Sequence, residues 1–548
     1  MPPFWGRDAA GQDMAYAGAS RLWCDGLWEG AVPVQANTVM VSRPYEYHSC
    51  EVELGGGDED LRLALERVCD LPGQGWYCGD AHQHVVHGEA LLQMDLPAAA
   101  AVARAEGVDW MVFNQHWTSV PGAAEPGPAE LDRLCEGSST HGFLALWGAE
   151  YPKHDLGHLV AFPQGTGRQF EDLGGAGAYR IEGDTRTSYC NFESQRALHR
   201  CGSAAVYSHP QRELGGTPGR VGNIARELPL DTLVAPWSVE AVDLISDGID
   251  VEVCWNMWFM WLQAGLRVGL CAFNDACYDR AGGKWREPVA YRRTYANPDG
   301  DLDAGALTRA VRAGRTFGTT GPLLLFAVDR CGPGHVFDAG GNPRRARLRA
   351  WGAPLYSDPA RRGAISRLVV FRNGEVHREW EYGPTGRDPV EETWDIDEGD
   401  TAWYVARAEG TLDDQLAVTS PIYFAAADYR APQPYTAQVR ATVVDALTGS
   451  PLSGSVDLVE YAHDRIDVVE ARAFSEGLFQ GAVPGDLRLR ACVEGYAPQV
   501  LSPILHCDAL YRDLLGGIRT PDLADPAYYA RLRQALDHVE LQFEMTRE

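Results

Sequence analysis

The chain has 548 residues, of which 45% are hydrophobic and 23% charged, and its formal net charge is −28. This length predicts several domains, and the acidic balance disfavours nucleic acid and anionic membrane surfaces as partners. The sequence contains no apolar run near about 18 residues, so we expect no membrane-spanning helix. Thirteen scattered cysteines and the lack of a secretory signal pattern predict a cytoplasmic protein with reduced thiols.

The predicted elements divide the chain into four parts. Residues 1–75 predict an N-terminal β-rich module, with strands at 34–43 and 45–54. Residues 76–322 alternate short apolar strands with helical stretches, which predicts an α/β domain. Because polar side chains recur at the C-terminal ends of these strands, a barrel is favoured over an open sheet.

The alternation of strands and helices stops near residue 323. Residues 323–428 contain short strands separated by turns, which predicts a β-sandwich. Residues 429–548 predict a second, sandwich-like module that ends in one helix and one strand. Within the α/β domain, VEVCWN (251–256) is interpreted as a further strand, and MWFMWLQAGL (257–266) as the helix that follows it.

The stretch GDAHQHVVHGE, residues 79–89, concentrates histidines and carboxylates. His82 and His84 are separated by one residue. On a strand such side chains share a face, so both imidazoles could bind one ion. Glu89 follows five residues after the second histidine and is a candidate oxygen ligand. Asp80 is expected to accept a hydrogen bond from one imidazole and so to fix its tautomer.

Four later apolar strands each end in a residue that can bind a metal. In a barrel these strand ends would converge on one mouth. A mixture of imidazole and carboxylate ligands suits Zn, Mn or Fe, and a carboxylate can bridge two ions. The candidates are His116, Glu150, His209 and Asp275.

Some conspicuous residues also have a purely structural interpretation. A single histidine after a strand is usually a loop residue, and His141, His154 and His199 fit the surface as well as they fit a function. Cys254 and Cys271 lie in apolar segments and are interpreted as buried, inert thiols. The aromatic run WNMWFMW predicts core packing rather than a platform for substrate.

Together these motifs resemble those of the PHP-domain superfamily (polymerase and histidinol phosphatase), in particular the CehA/McbA-type metallohydrolases. GWYCGDAHQH is similar to that family's opening motif, GWYxGDxHxH. AVRAGRTFGTTGPLLLF is similar to the GRTFxTxGPLL motif that follows the family's barrel. The resemblance covers residues 60–425, and between these two segments the matching motifs are, in order, GVDWMVFNQHW, WGAEY, GHLVAF, YSHP and GLCAFNDA.

The resemblance implies a distorted (β/α)7 barrel with two or three divalent metal ions at its mouth. Two positions depart from the family's motifs, because Gln115 stands where Asp is usual and Cys277 stands where His is usual. Cys277 could bind zinc as a thiolate or be an ordinary thiol, so we expect two ions rather than three. Carried over motif by motif, the other ligands are His82, His84, Glu89, His116, Glu150, His209 and Asp275.

These features predict a metal-dependent hydrolase. The ions would lower the pKa of a bridging water towards neutrality, and the resulting hydroxide would attack a carbonyl or phosphoryl centre. His158, His87 or His154 could stabilise the developing charge or protonate the leaving group. Lys153 and Arg315 are candidates for binding an anionic substrate group. For Arg315 the favoured alternative is an ion pair that fixes the sandwich to the barrel.

The substrate class stays open at this point. The superfamily implies phosphoesters, whereas the CehA branch implies carbamates or carboxylic esters. Phosphate sites gather Lys and Arg, but residues 76–322 contain no lysine besides Lys153 and Lys284. We therefore favour a small-molecule ester, carbamate or amide. The alternative from another class is a non-catalytic metal-binding or recognition protein with a degenerate barrel, and either could form a homo-oligomer.

Overall fold

The structure is a computed structural model, and its N-terminal part contains short strands. They are β1 (Gly6–Arg7), β2 (Glu29–Gly30), β3 (Thr38–Val41) and β4 (Cys50–Glu53). β1 pairs with β2 and β3 pairs with β4, both antiparallel, and the N-terminal β-rich module stays a prediction. The described residues are 6–7, 29–30, 38–55, 61–86, 96–115, 128–151, 157–163, 190–212, 223–246, 251–277, 289–355, 358–412, 415–462, 465–507, 509–514 and 518–548.

The next part of the chain alternates strands and helices, as the sequence predicts. Its strands are β5 (Tyr77–Val86), β6 (Trp110–Gln115), β7 (Leu144–Tyr151), β8 (Leu159–Phe162), β9 (Ala204–Tyr207), β10 (Gln211–Arg212), β11 (Asn223–Ile224), β12 (Ala241–Asp243), β13 (Gly269–Cys271), β14 (Ala276–Cys277), β15 (Arg293–Ala296) and β16 (Thr316–Thr319). Its helices are α1 (Leu96–Ala105), α2 (Pro128–Ser138), α3 (Asn191–Arg200), α4 (Leu228–Val234), α5 (Val251–Gln263) and α6 (Ala304–Arg312). Short 3-10 turns lie at Pro72–Gln74 and Pro236–Ser238.

Seven of the described strands form one sheet in the order β13-β12-β9-β8-β7-β6-β5. The pairs among β5, β6 and β7 are parallel, and so are those among β9, β12 and β13. β8 runs antiparallel to both of its neighbours, which interrupts the parallel pairing that we expected. The reason is the short connection of residues 152–158, because a parallel pair needs a crossover of roughly a dozen residues or more.

The sheet closes on itself at β13. β14 follows β13 in the chain and pairs in parallel with β5 at the other end of the seven strands. Two threonine hydroxyls bond to the backbone in and beside β13. Thr294 Oγ1 accepts a hydrogen bond from Ala272 N (2.8 Å), and Thr316 Oγ1 donates one to Leu270 O (2.6 Å). These bonds satisfy backbone groups along β13 and so hold the ring of strands closed.

Apolar side chains fill the inside of this ring. Residues from all seven of its strands belong to one buried cluster, and α6 adds Leu307, Ala310 and Val311. Among the described residues the interior is therefore packed with apolar side chains, and the polar side chains lie at the ends of the strands. The strand residues include Ala81, Val112, Leu146, Val160, Val206, Ala241 and Cys271.

The sheet continues by hydrogen bonds into a β-sandwich. β15 pairs with β5 and β16, and β16 pairs with β26 of the sandwich. One sandwich sheet has the order β16-β26-β25-β22-β23, and the facing sheet is β17-β19-β24. The sandwich strands are β17 (Leu323–Val328), β18 (Val336–Asp338), β19 (Arg344–Trp351), β20 (Pro354–Leu355), β21 (Asp358–Arg362), β22 (Ile365–Arg372), β23 (Glu375–Glu381), β24 (Val390–Ile396), β25 (Ala402–Gly410), β26 (Leu416–Thr419) and β27 (Ile422–Ala425).

The C-terminal part contains two further sheets and a final helix and strand, as predicted. The sheets have the orders β31-β28-β34 and β30-β29-β32-β33. A π-helical turn lies at Ala509–Leu514 and a 3-10 turn at Thr520–Ala524. The elements are β28 (Thr436–Asp445), β29 (Gly454–Ala462), β30 (Arg465–Phe474), β31 (Leu478–Pro484), β32 (Arg488–Cys492), β33 (Gln499–Leu501), α7 (Pro526–Leu536) and β34 (Val539–Met545).

The segment 251–256 is helical, which corrects its interpretation as a strand. It forms the first half of α5, and the aromatic run forms the second half. Met257, Trp258 and Trp261 are buried, and Trp258 Nε1 donates to Val268 O at 3.0 Å. Valines favour strands locally, but burial of the whole apolar segment against the core decides in favour of the helix. The predicted core packing of the aromatic run is confirmed.

The described cysteines are free thiols, eleven in number. Cys254 and Cys271 are both buried, as predicted, although Cys254 lies in a helix. Burial raises the pKa of the Cys271 thiol well above its usual value, which keeps it protonated. Within the described ranges, no helix combines the length and the apolar character needed to cross a membrane.

A buried ion pair joins the C-terminal part to α3. Arg488 of β32 donates from Nε and Nη2 to the two carboxylate oxygens of Glu193, both at 2.6 Å. The side chains of Glu193 and Arg488 are 1% and 8% exposed. Glu193 Oε2 also accepts the backbone N–H of Cys190 (2.9 Å) at the start of α3. One carboxylate therefore both caps the helix and anchors the C-terminal part to it.

We predict that Arg488→Met destabilises the protein by about 3–5 kcal/mol, because it leaves the Glu193 carboxylate buried without its cation. The control is Arg347→Met, which removes an exposed pair with Glu391 and should cost at most about 1 kcal/mol. Urea unfolding of both variants and the wild type measures the difference. Equal losses of stability in the two variants would contradict this role for the buried pair.

Candidate metal centre

Two histidines of β5 form one side of a buried polar centre. His82 and His84 are both 0% exposed, and their Nε2 atoms lie 3.1 Å apart. Alternation along the strand places both side chains on one face, as the sequence predicts. Gly79 lets β5 lie close to β6, because a Cβ there would be 2.1 Å from the carbonyl oxygen of Trp110.

Three other strand ends bring side chains to the same place. Glu150 is the second-last residue of β7. Its Oε1 lies 3.4 Å from His82 Nε2, and its Oε2 lies 3.5 Å from His84 Nε2. His209 follows β9, and its Nε2 lies 3.1 Å from Glu150 Oε1. Asp275 follows β13, and its Oδ1 lies 3.3 Å from His82 Nε2 and 3.1 Å from His84 Nε2. We call these five buried residues the metal centre.

The backbone at two of these residues is unusual. His209 and Asp275 have positive φ angles of 30° and 50°. Residues other than glycine rarely adopt this left-handed conformation, and where they do so they cluster at functional sites that hold them in place. Here each left-handed residue follows a buried strand and directs its side chain to the centre, since His209 stacks on His82 with ring centroids 5.5 Å apart.

The electrostatics of His84 and Glu150 favour the protonation states that metal ligands need, whereas without a bound cation those of His82 favour its protonated form. Burial lowers the pKa of His84 to about 3, so its imidazole is neutral. Burial opposes ionisation of Glu150, but His158 and His82 outweigh it and hold the pKa of Glu150 well below its usual range. At His82, burial lowers the pKa, whereas Asp275 and Glu150 raise it more. Neutral imidazole and ionised carboxylate are the forms that bind a metal ion.

The donor atoms present fit divalent transition-metal ions. The ligand atoms of His82, His84 and Asp275 lie within 4.8 Å of one another, and so do those of His82, Glu150 and His209. Two imidazole nitrogens 3.1 Å apart can share only one proton, whereas a cation can use the lone pairs of both. Buried imidazole nitrogen and carboxylate oxygen together suit Zn, Mn or Fe.

Asp80 braces the backbone of the centre, which corrects the expectation that it would bond to an imidazole. Its Oδ1 accepts the N–H of His82 (2.8 Å), and its Oδ2 accepts the N–H of Asn274 (3.1 Å) and the Gln83 side-chain amide (2.5 Å). Burial raises the pKa of Asp80 to about 7, although these backbone donors and His82 lower it. Because Asn274 precedes Asp275, Asp80 ties the two ligand-bearing segments together.

His158 contacts the centre through Glu150. It directly precedes β8, and its Nδ1 lies 2.6 Å from Glu150 Oε1. Its ring packs edge-on against that of His209, with centroids 5.1 Å apart, and the residue is 8% exposed. His158 therefore faces the same carboxylate oxygen as His209 and His82. Its position suits a group that holds a proton beside the centre, and its role as ligand or donor stays a prediction.

Asp243 is a buried carboxylate that sequence reasoning did not select. It ends β12, and its Oδ1 accepts the N–H of Phe273 at 3.1 Å. Burial raises the pKa of Asp243 to about 7, whereas Ser246 and then His82 lower it, which places its charge beside the centre. Asp243 stands at the C-terminal end of an apolar strand, which is the same sequence pattern that indicated Glu150.

Several predicted site residues fall where the structure gives no side-chain position. Gln115 ends β6, and Cys277 pairs with His84 across the β14–β5 ladder, but their side chains lie outside the described atoms. Their predicted roles are unchanged. The residues that lie wholly outside the described ranges are His87, Glu89, His116, Lys153 and His154.

Arg315 lies at the other end of the sheet, which corrects its prediction as a substrate-binding residue. Its guanidinium forms an ion pair with Asp299, three residues after β15. β15 runs antiparallel to β5, and Ala296 at its end pairs with Tyr77 at the start of β5. The centre is at the opposite end, around His84. The ion pair joins the segments beside β15 and β16, and β16 pairs with β26 of the sandwich, so the alternative of a link between barrel and sandwich stays a prediction.

A second group of ligand-type residues lies near the start of β5. Glu46, Cys78 and Asp109 have potential ligand atoms within 4.8 Å of one another. Glu46 already accepts bonds from Arg67 (2.8 Å), and Asp109 Oδ2 accepts the N–H of Cys78 (2.8 Å). Burial raises the pKa of the Cys78 thiol strongly, so it stays protonated. These bonds give the group a structural role between the N-terminal part and the sheet.

Comparison with known proteins adds no assignment. No family model and no curated protein matches the chain. A proposed metal-dependent phosphoesterase from Bifidobacterium adolescentis aligns with 39% of this chain and 92% of its own, at 16% identity and a TM-score of 0.25. The major pilin BcpA of Bacillus cereus aligns with 42% of this chain and 72% of its own, at 9% identity and a TM-score of 0.13. Structural similarities this weak support no inference about function, so the assignment of the metal centre depends on its geometry alone.

We predict that Asp80→Asn weakens zinc or manganese binding about 10- to 100-fold, the range found for groups that orient metal ligands. The matched control is Asp109→Asn, because Asp109 is partly buried directly before β6 and also accepts a backbone N–H of β5. Competition with a chromophoric chelator measures the affinities. Unchanged affinity in Asp80→Asn, or an equal loss in both variants, would contradict the brace.

Proposed function

We propose that the chain is a metal-dependent hydrolase with a distorted (β/α)7 barrel of the PHP type. The observation that supports it most is the convergence of five buried ligand-type side chains from β5, β7, β9 and β13. Burying carboxylates and imidazoles together costs free energy unless a counter-charge or a metal ion balances them. Such clusters are typical of functional sites. A divalent cation bound here would act as a Lewis acid and would generate a nucleophile from water near neutral pH.

Within this proposal the side chains of the centre divide into two groups that Glu150 connects. His82, His84 and Asp275 form one set of neighbouring ligand atoms, and His82, Glu150 and His209 form a second that shares His82; His209 Nε2 also lies 4.0 Å from Asp275 Oδ2. Glu150 turns Oε1 towards His82 and His209 and Oε2 towards His84. A carboxylate that faces two groups in this way suits a site for two ions, which is the number that we propose.

His158 and Asp80 would act on the reaction through other residues of the chain. His158 bonds to Glu150 Oε1 and would hold or release a proton at that oxygen. Asp80 fixes the backbone of His82 and Asn274, so that the ligands keep their spacing when charge develops during the reaction. Neither residue needs to contact the substrate for these roles.

For the substrate we propose a small-molecule carboxylic ester, carbamate or amide, with a phosphoester as the alternative. Arg292 is a cationic residue near the centre, since its N–H donates to Asn274 Oδ1 (2.8 Å). Burial raises the pKa of Asp243 to about 7, and Arg292 is among the groups that lower it, so the Arg292 guanidinium acts on that carboxyl. With Arg315 at the other end of the sheet, the described residues offer little positive charge for a phosphate group.

We predict that zinc- or manganese-loaded protein hydrolyses nitrophenyl esters or carbamates, and that Asp275→Ala and His82→Ala each lose more than about 100-fold in kcat/KM. The loss should exceed the roughly 100-fold limit for groups that only orient ligands, because these residues supply ligand atoms. His199→Ala is the matched control, since His199 pairs with Glu240 outside the centre. Parallel assays with nitrophenyl esters, carbamates and phosphates measure the rates.

The same assays separate the alternatives. Activity on the phosphate alone would replace the ester proposal with the phosphoesterase one. Metal binding without turnover of any of these substrates would favour the non-catalytic protein. Wild-type rates in both Asp275→Ala and His82→Ala would contradict the assigned site.

A further inference from the structure

A second buried polar cluster lies between α3, α4 and β9, apart from the metal centre. It consists of Asn191, Gln195, Tyr207, Glu227 and Asp231, each 0% exposed. Glu227 and Asp231 are four residues apart at the start of α4, so their side chains share a face, and Asn191 and Gln195 are related in the same way on α3. Tyr207 belongs to β9, two residues before His209.

In each carboxylate of this cluster, one oxygen accepts a hydrogen bond and the other has no hydrogen-bond partner among the described residues. Glu227 Oε1 accepts the N–H of Asn191 (3.0 Å), and Asp231 Oδ2 accepts the hydroxyl of Tyr207. Glu227 Oε2 and Asp231 Oδ1 are buried without a hydrogen-bond partner among the described residues. The same holds for both side-chain amide atoms of Asn191 and of Gln195. Unpartnered buried polar atoms are rare, and so many in one place indicate a bound species.

The charge of the cluster is also unbalanced. Arg488 is engaged by Glu193, and no ion pair among the described residues joins a cation to Glu227 or Asp231. Burial raises the pKa of both carboxyls, so without a counter-charge they hold protons near neutral pH. A bound cation of charge +2 would offset two carboxylates.

We propose that Glu227 and Asp231, with the side-chain oxygens of Asn191 and Gln195, bind a calcium ion. All four donors are oxygens, which is the ligand type that calcium prefers, whereas the metal centre offers imidazole nitrogen and suits transition metals. Magnesium fits less well, because it keeps several waters of its own and this site is closed to solvent.

Such an ion would have a structural role that reaches the metal centre. It would fix α3 and α4 to each other, and the Tyr207 hydroxyl bond to Asp231 would link them to β9. β9 leads directly into His209, so the ion would hold one ligand-bearing strand end in place. The calcium site shares no residue with the metal centre and does not depend on the proposed hydrolase activity.

The test is calcium binding by the full chain after removal of metals and saturation of the metal centre with zinc. Isothermal titration with CaCl2 should show one site per chain. Saturating calcium should raise the thermal midpoint by about 2 °C or more. Glu227→Gln and Asp231→Asn should each weaken calcium binding at least about tenfold. Glu130→Gln, an exposed carboxylate on α2, is the matched control and should bind like the wild type.

Hydrogen exchange of the wild type gives a second reading that does not depend on any variant folding. Calcium should slow amide exchange in residues 190–200 and 223–234 while residues 436–445 are unaffected. Absence of calcium binding and of this local protection would overturn the proposal and leave a proton shared by the two carboxyls. Binding that survives both substitutions, or binding of magnesium alone, would overturn it too.

Discussion

The fold depends on how buried negative charge is balanced at the end of its sheet. Glu150 and Asp275 are almost completely removed from water, and buried carboxylates are stable only when paired or bound to a metal. A proton on His82 can balance one of them, because both carboxylates raise its pKa against the effect of burial. His84 stays neutral and supplies a lone pair. A divalent cation would replace the proton on His82, balance both carboxylates and bind both imidazoles.

The strands around the centre serve this arrangement. Alternation along β5 supplies the first two imidazoles, and left-handed residues after β9 and β13 add His209 and Asp275. Asp80 then binds the backbone on both sides, and the hydroxyls of Thr294 and Thr316 close the ring along β13. Since the apolar core below is closely packed, small changes in these bonds would move the ligands relative to one another.

The polar residues at the strand ends could be predicted from the sequence, but the hydrogen bonds between them could not. His82, His84, Glu150, His209 and Asp275 follow from apolar runs that end in polar residues. A sequence cannot show whether Asp80 meets an imidazole or a backbone N–H, because that depends on the register of β5 against the turn before Asp275. Likewise Arg315 directly precedes β16, and the direction of β15 and β16 against β5 puts it at the end of the sheet opposite the metal centre. For 251–256, tertiary burial outweighed local strand propensity.

The metal content of the purified protein tests the account most directly. The protein is loaded with zinc or manganese, desalted and analysed by mass spectrometry of the bound elements, beside a His82→Ala, His84→Ala double variant. We predict two tightly held ions per wild-type chain and a loss of at least one of them in the variant. Less than one ion per wild-type chain after loading, or equal contents in both proteins, would contradict it.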